Sequence, residues 1–307
     1  MEVDEESPYE LFDDRFRACQ GDTRLRKLFS EGRWLEGPAY FPAGRYLVWS
    51  DVPNNLILRW DEMSGHTAIF RQGTNYANGN TVDRHGRLVT CEQGARRVTR
   101  TEYDGTTTVI TDQYEGKRLN SPNDVVVHSD GSIWFTDSTY GIDSDYQGYL
   151  AQSEIGASYV YRVDPDSGVT QVVATDFVQP NGLAFSYNEQ LLYIGDTGIS
   201  NVPDGPRHIR VFRVGANGDL SGGDVFATCT VGAFDGFRLD TAGRIWTSAG
   251  DGVHCYDPDG TLLGKIRVPQ TVGNVCFGGL RRNILFICAS TSVYSVYSVM
   301  LSVTGTR

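Results

Sequence analysis

One phrase recurs six times in this chain: a polar residue, usually followed by Gly or Asp, then an apolar run, a turn and a second apolar run. The copies open at Glu36, Asn78, Asn123, Asn181, Asp235 and Asn274, so successive openings lie 42, 45, 58, 54 and 39 residues apart. In four copies the second run ends on a carboxylate (Asp51, Glu92, Asp137 or Asp196), 14 or 15 residues after the opening. The later half of the unit repeats as well: residues 56–61, 159–164 and 253–257 each run into an Asp-, Ser-, Pro- or Gly-rich turn. Each copy thus holds four short strands joined by hairpins. A period of about 40–50 residues is that of one four-stranded propeller blade. A two-sheet sandwich has similar strand spacing, but six copies of one unit favour closure into a ring, which hides the sheet edges. The expected fold is all-β, a six-bladed β-propeller of four-stranded antiparallel blades over residues 25–307, with residues 1–24 as an N-terminal arm. Residues 26–29 are expected to supply the outer strand of the last blade, and a short helix is expected around residues 10–19.

Composition agrees. Of 307 residues 35 are Gly and 11% are aromatic, the mix of short strands and tight turns. The net charge of −11 leaves no basic footprint for nucleic acid. Cys19, Cys91, Cys229, Cys255, Cys276 and Cys288 stand singly, with no C-x-x-C, and read as buried free thiols. The acidic start, Met1 to Tyr9, has no apolar core of a signal peptide, and no run of 18 apolar residues occurs. A cytoplasmic location without membrane attachment is the expectation. Sequence leaves the oligomeric state open.

In a propeller the first strand of each blade lines the central channel, so the six openings meet at one mouth. All six carry side-chain oxygen, two as carboxylates, for a formal charge of −2. Hard oxygen donors with that charge suit Ca²⁺, with Mg²⁺ or Mn²⁺ behind it. The five histidines fall at no ligand spacing, against a zinc site built on imidazole. Short polar residues before Gly also cap turns, and that reading stands beside the metal one. The two long second-to-third-strand loops, residues 138–158 and 197–207, belong on the same side and are expected to rise over it as a lid.

At Glu36-Gly37-Pro38, Ser121-Pro122-Asn123-Asp124, Pro180-Asn181-Gly182 and Phe234-Asp235-Gly236, four motifs in order at blade spacing, the chain resembles the gluconolactonase/regucalcin (senescence marker protein) family. The resemblance covers roughly residues 25–300 and extends to Arg118-Leu119-Asn120. It implies Ca²⁺ at the channel mouth, with Mg²⁺, Mn²⁺ or Zn²⁺ able to replace it. Glu36, Asn123, Asn181 and Asp235 would be the ligands, Asp235 also the general base, and Arg118 and Asn120 would lie near the substrate. Animal members carry a shorter Arg-x-Asn-Asp-Gly pattern, so Asn120 and Asn123 both compete for the ligand position; Asn123 keeps the repeat register. The implied activity is hydrolysis of a sugar lactone such as gluconolactone, by a polarised carbonyl and water delivered by Asp235. A phosphotriester or other ester hydrolase on the same scaffold, and a non-catalytic binding propeller with a structural metal, are the alternatives. No G-x-S-x-G elbow, P-loop or Rossmann glycine pattern occurs.

Overall fold

The computed structural model describes residues 7–22 and 24–298. Residues 1–6, which carry most of the stretch read for a signal peptide, and residues 299–307 of the expected propeller lie outside the described residues.

The chain winds into six antiparallel blades, each running from an inner strand at the axis to an outer strand at the rim. The inner strands are Leu35–Phe41, Ala77–Val82, Ser121–Val127, Pro180–Phe185, Phe237–Leu239 and Val272–Gly278. They are buried along nearly their whole length, because both faces meet protein or the channel. The outer strands alternate toward solvent, as Thr67–Gln72 does. Between blades the core is aromatic and aliphatic. Trp49, Trp134 and Trp246, on the second strands of blades one, three and five, are almost fully buried; Trp134 and Trp246 hold equivalent places, and Trp49 stands one residue further on and packs toward blade six. Each contributes roughly 1.5–3 kcal/mol through removal from water. Trp134 and Trp246 also satisfy their indole N–H, on Ser132 Oγ at 2.8 Å and Asp240 Oδ2 at 3.0 Å.

The ring closes with strands from both ends of the chain. Arg26–Phe29 pairs antiparallel with Val293–Tyr297 as the outer strand of blade six, as its sequence suggested. Phe29 packs on Trp49 of blade one, with ring centres 5.4 Å apart. The expected helix over 10–19 is shorter than its composition suggests. Tyr9–Leu11 is instead a fifth strand on blade five, beside Leu262–Arg267, and only Asp14–Cys19 coils, as a 3₁₀ helix. An unpaired blade edge wins over local helix propensity here. Phe16 on that helix is wholly buried against Trp246, in space that a side chain at Gly264 would fill. All six cysteines are buried and free.

The Asp-containing turns are capped turns. Asp61 accepts from the backbone N–H groups of Met63 and Ser64, and Asp164 from those of Asp166 and Ser167.

Candidate metal-binding mouth

Five inner strands carry an irregularity in pairing where the repeat opens. The register shifts between Glu36 and Ala39, Ala77 and Asn80, Pro122 and Val125, Pro180 and Leu183, and Val272 and Asn274. A bulge bends its strand and re-aims the side chain beside it, and this one is repeated around the axis. The openings then touch in sequence from blade to blade. Thr136 of blade three donates to Asn181 O at 2.7 Å, and Gly182 N donates to Asp235 O at 3.0 Å. Gly236 N donates to Gly273 O at 2.8 Å, and Asn274 Nδ2 to Glu36 Oε2 at 3.2 Å. Glycine follows the opening because the next blade passes too close for a side chain: a Cβ on Gly182 would overlap the Asp235 backbone.

Glu36 is buried, and its Oε2 also accepts from Gly37 N at 3.1 Å. Its Oε1 has no hydrogen-bond partner among the described residues. Asp235 is part-exposed as a residue, yet protein surrounds its carboxylate, which lies within hydrogen-bonding reach of Glu36 and Asn181. Burial pushes Glu36 up to about 7. Burial raises Asp235 well above the carboxylate range, and the Glu36 charge adds to it. Two enclosed carboxylates facing each other with an orphaned oxygen are short of positive charge.

The amides differ in what they leave free. Asn181 donates Nδ2 to Thr197 Oγ1 at 3.1 Å. The side chains of Asn123 and Asn78, both 5% exposed, hydrogen-bond to no other described residue. Asn274 has both ends engaged, on Glu36 and on Val275 N. Among the described residues no group of three or more His, Cys, Asp or Glu is arranged to hold a metal ion. Any cation at this mouth therefore relies on amide oxygen beside Glu36 and Asp235, and a hard divalent ion fits that donor set.

The carboxylates that end the second strands serve the scaffold. Asp196 accepts from the backbone N–H groups of Val178, Gln179 and Gly198, and Asp51 from that of Arg33. Asp137, pushed up to about 7 by burial, accepts from Asn120 N at 2.8 Å. Asn120 itself is fully buried and donates Nδ2 to Asp137 O and Ala157 O, while its Oδ1 accepts from Ser153. Arg118 sits exposed on the short hairpin before blade three, its Nη2 on Ala95 O at 3.3 Å and its backbone N–H on Glu154 at 2.9 Å. Glu36, Asn181 and Asp235 are thus brought into contact, whereas Asn120 and Arg118 are tied to loop segments.

Those loops are tied to each other. The Tyr140 hydroxyl meets Thr197 Oγ1 at 2.6 Å and Ser200 Oγ at 2.7 Å, and Asn201 Nδ2 donates to Asp143 at 2.9 Å. Thr197 in turn holds Asn181, so the loops join the ring directly. Tyr149 packs edge-on against Tyr76, 5.2 Å between ring centres. Three residues escape reading by repeat register. Among the described residues, fully buried Gln93 has no partner for either amide atom, and Asp124 Oδ2 has none within hydrogen-bond distance, standing 3.6 Å from Arg238 Nη1. Asp124 directly follows an opening, so its place in the motif was the available signal; Gln93 and Arg238 carried none.

Residues 34–291 match the SMP-30/Gluconolactonase/LRE-like region family. A gluconolactonase of Zymomonas mobilis is 30% identical over 298 residues, covering 89% of this chain and 81% of its own length. The pentonolactonase XacC of Haloferax volcanii is 30% identical over 277 residues, covering 86% and 84%. A gluconolactonase structure from Xanthomonas campestris superposes with a TM-score of 0.89 at 39% identity, covering 95% of this chain and 94% of that one. The calcium-binding protein regucalcin of Agrobacterium tumefaciens shares the fold, with a TM-score of 0.74 at 19% identity over 91% and 95% of the two chains. A match over most of the propeller, with full-length lactonase relatives, makes this chain a member of the SMP-30/gluconolactonase/LRE-like family.

Proposed function

We propose that this chain hydrolyses a sugar lactone, in a reaction that requires a divalent cation held by Glu36, Asn123, Asn181 and Asp235, with Ca²⁺ the leading candidate. The observation that carries the reading is the pair of enclosed carboxylates, Glu36 and Asp235, facing each other with Glu36 Oε1 unpartnered. Lactonase relatives of 30% identity or more support the substrate class. When bound, a divalent ion would supply charge neutralisation and Lewis-acid polarisation of an ester carbonyl. Glu36, bonded to Gly37 N and Asn274 Nδ2, and Asn181, bonded through Nδ2 to Thr197, are fixed in place at the mouth, while the Asn123 amide is left free to serve as a ligand. Asp235 orients water and accepts its proton as the water oxygen bonds to the lactone carbonyl carbon. The ring C–O bond then breaks, the ring oxygen takes the proton, and a hydroxy acid leaves. The linked loops, through Tyr140 and Thr197, enclose the mouth and limit bulk water. Arg118 offers forked donors to sugar hydroxyls or to the new carboxylate. Asn120, with its amide fully engaged, acts by fixing the loop at Ala157 and Ser153.

A panel of aldonolactones, assayed by acid release with chelator and then with Ca²⁺ restored, tests the proposal. Turnover lost on chelation and recovered with Ca²⁺ is expected. Turnover that survives removal of all metal refutes the metal requirement, and absence of turnover on every lactone, with phosphotriesters cleaved instead, refutes the substrate class.

A further inference from the structure

At the other end of the channel, where the inner strands finish, lies a cavity of about 480 Å³. That size falls within the usual range for small-molecule sites. Its wall mixes apolar and aromatic side chains, among them Tyr40, Val126, Phe185 and Phe277, with polar and charged ones such as Asn80, Arg84 and Arg282, and Ser129 lines it at an exposed position. Arg238 lines it and is only 5% exposed.

Arg238 is under-partnered for so enclosed a charge. Its Nη1 donates to Phe237 O at 2.7 Å and stands 3.6 Å from Asp124 Oδ2, beyond hydrogen-bond distance. Nε and Nη2 meet no acceptor among the described residues. A guanidinium has five N–H groups in a planar fork, and those on Nε and Nη2, unused by the described residues, are left accessible in the cavity to take acceptors from what enters it. The neighbours of Arg238 do not supply them. Asp83 is held by Arg87 at 2.8 Å, and Glu189 lies 3.9 Å from Arg84 out at the rim. Asp124 offsets part of the positive charge, so the missing partner is a single anion rather than a dianion.

From this geometry we infer that the far mouth is a second binding site, for a small organic monocarboxylate with an apolar body. The carboxylate pairs with the free edge of Arg238 and the body lies against the aromatic wall. A planar carboxylate matches the fork in two parallel hydrogen bonds, which a neutral lactone cannot offer. The site is separate from the Glu36–Asp235 mouth, being built from the opposite ends of the same strands.

The test is isothermal titration of the full chain with acetate, benzoate, phenylacetate and cyclohexanecarboxylate, with benzamide as neutral control, each with Ca²⁺ and with chelator. The ring-bearing acids should bind saturably whether or not metal is present, and benzamide at least about tenfold more weakly. Arg238→Met should weaken the acids by about tenfold or more. Ser129→Trp, a change at an exposed rim position that leaves Arg238 in place, should weaken them to a similar degree with an unchanged unfolding temperature. The inference fails if none of the acids binds below about 10 mM, if chelation abolishes binding, which places it at the metal mouth, or if Ser129→Trp binds as well as the parent.

Discussion

Asp235 and Glu36 carry the chemistry through their unwelcome proximity. In Asp235→Asn the base is removed, and turnover should fall roughly 10²- to 10⁴-fold. The same change relieves repulsion against Glu36, so the chelated variant should unfold at a higher temperature than the chelated parent while binding Ca²⁺ more weakly. Calorimetry and titration together check this; a variant that is less stable without metal and keeps its affinity contradicts it. The pH dependence follows from the direction of the shifts. Burial raises Glu36 from an ordinary 4.5 to about 7, so the fold prefers the protonated acid. A raised acid contributes stability in full below its unfolded value, and that contribution is lost as pH climbs to the folded one. The chelated protein should therefore lose melting temperature between about pH 4.5 and 7, and saturating Ca²⁺ should flatten that slope. An identical profile with and without the ion would remove the carboxylate pair as its cause.

Among elements, the loop over residues 139–157 matters most to the mouth. It is anchored at its far end by Asn120, whose amide holds Ala157 O and Asp137 O. Asn120→Ala leaves those acceptors buried and unpaired, and should cost about 1–3 kcal/mol of stability. Because Asn120 positions rather than ligates, Ca²⁺ affinity should hold while KM rises more than kcat falls. Loss of metal affinity in this variant, measured by titration, would instead put Asn120 among the ligands. The recurring bulge is the other element-level device. In five of the blades one extra residue in the inner strand bends it at the opening and re-aims the side chains there.

Ring closure is a property of the whole molecule. Arg26–Phe29 completes blade six from the start of the chain, and Phe29 bridges to blade one through Trp49. Removing residues 1–30 leaves three strands in blade six and an open edge. Thermal unfolding of the truncated protein should lose its single cooperative transition, with aggregation at lower temperature. A truncation that melts like the parent would mean that the other five blades hold the ring without the clasp.

The sequence by itself determined the architecture, since strand period, turn residues and repeat spacing are local quantities that each blade repeats on its own. It also placed the openings at one mouth, as equivalent positions in a closed ring must be. Which opening side chains remain free was decided only by tertiary structure. Asn274 opens the sixth repeat in the sequence, yet pairing puts Gly273 at the opening and Asn274 where Asp124 sits in blade three, each accepting from the next backbone N–H, while the side chain of Asn123 bonds to no other described residue. The approach of Asp124 to Arg238, and the cavity below, likewise join residues from different blades. Hydrogen-bond satisfaction and burial depend on what the neighbouring blade presents, and no local pattern contains that information.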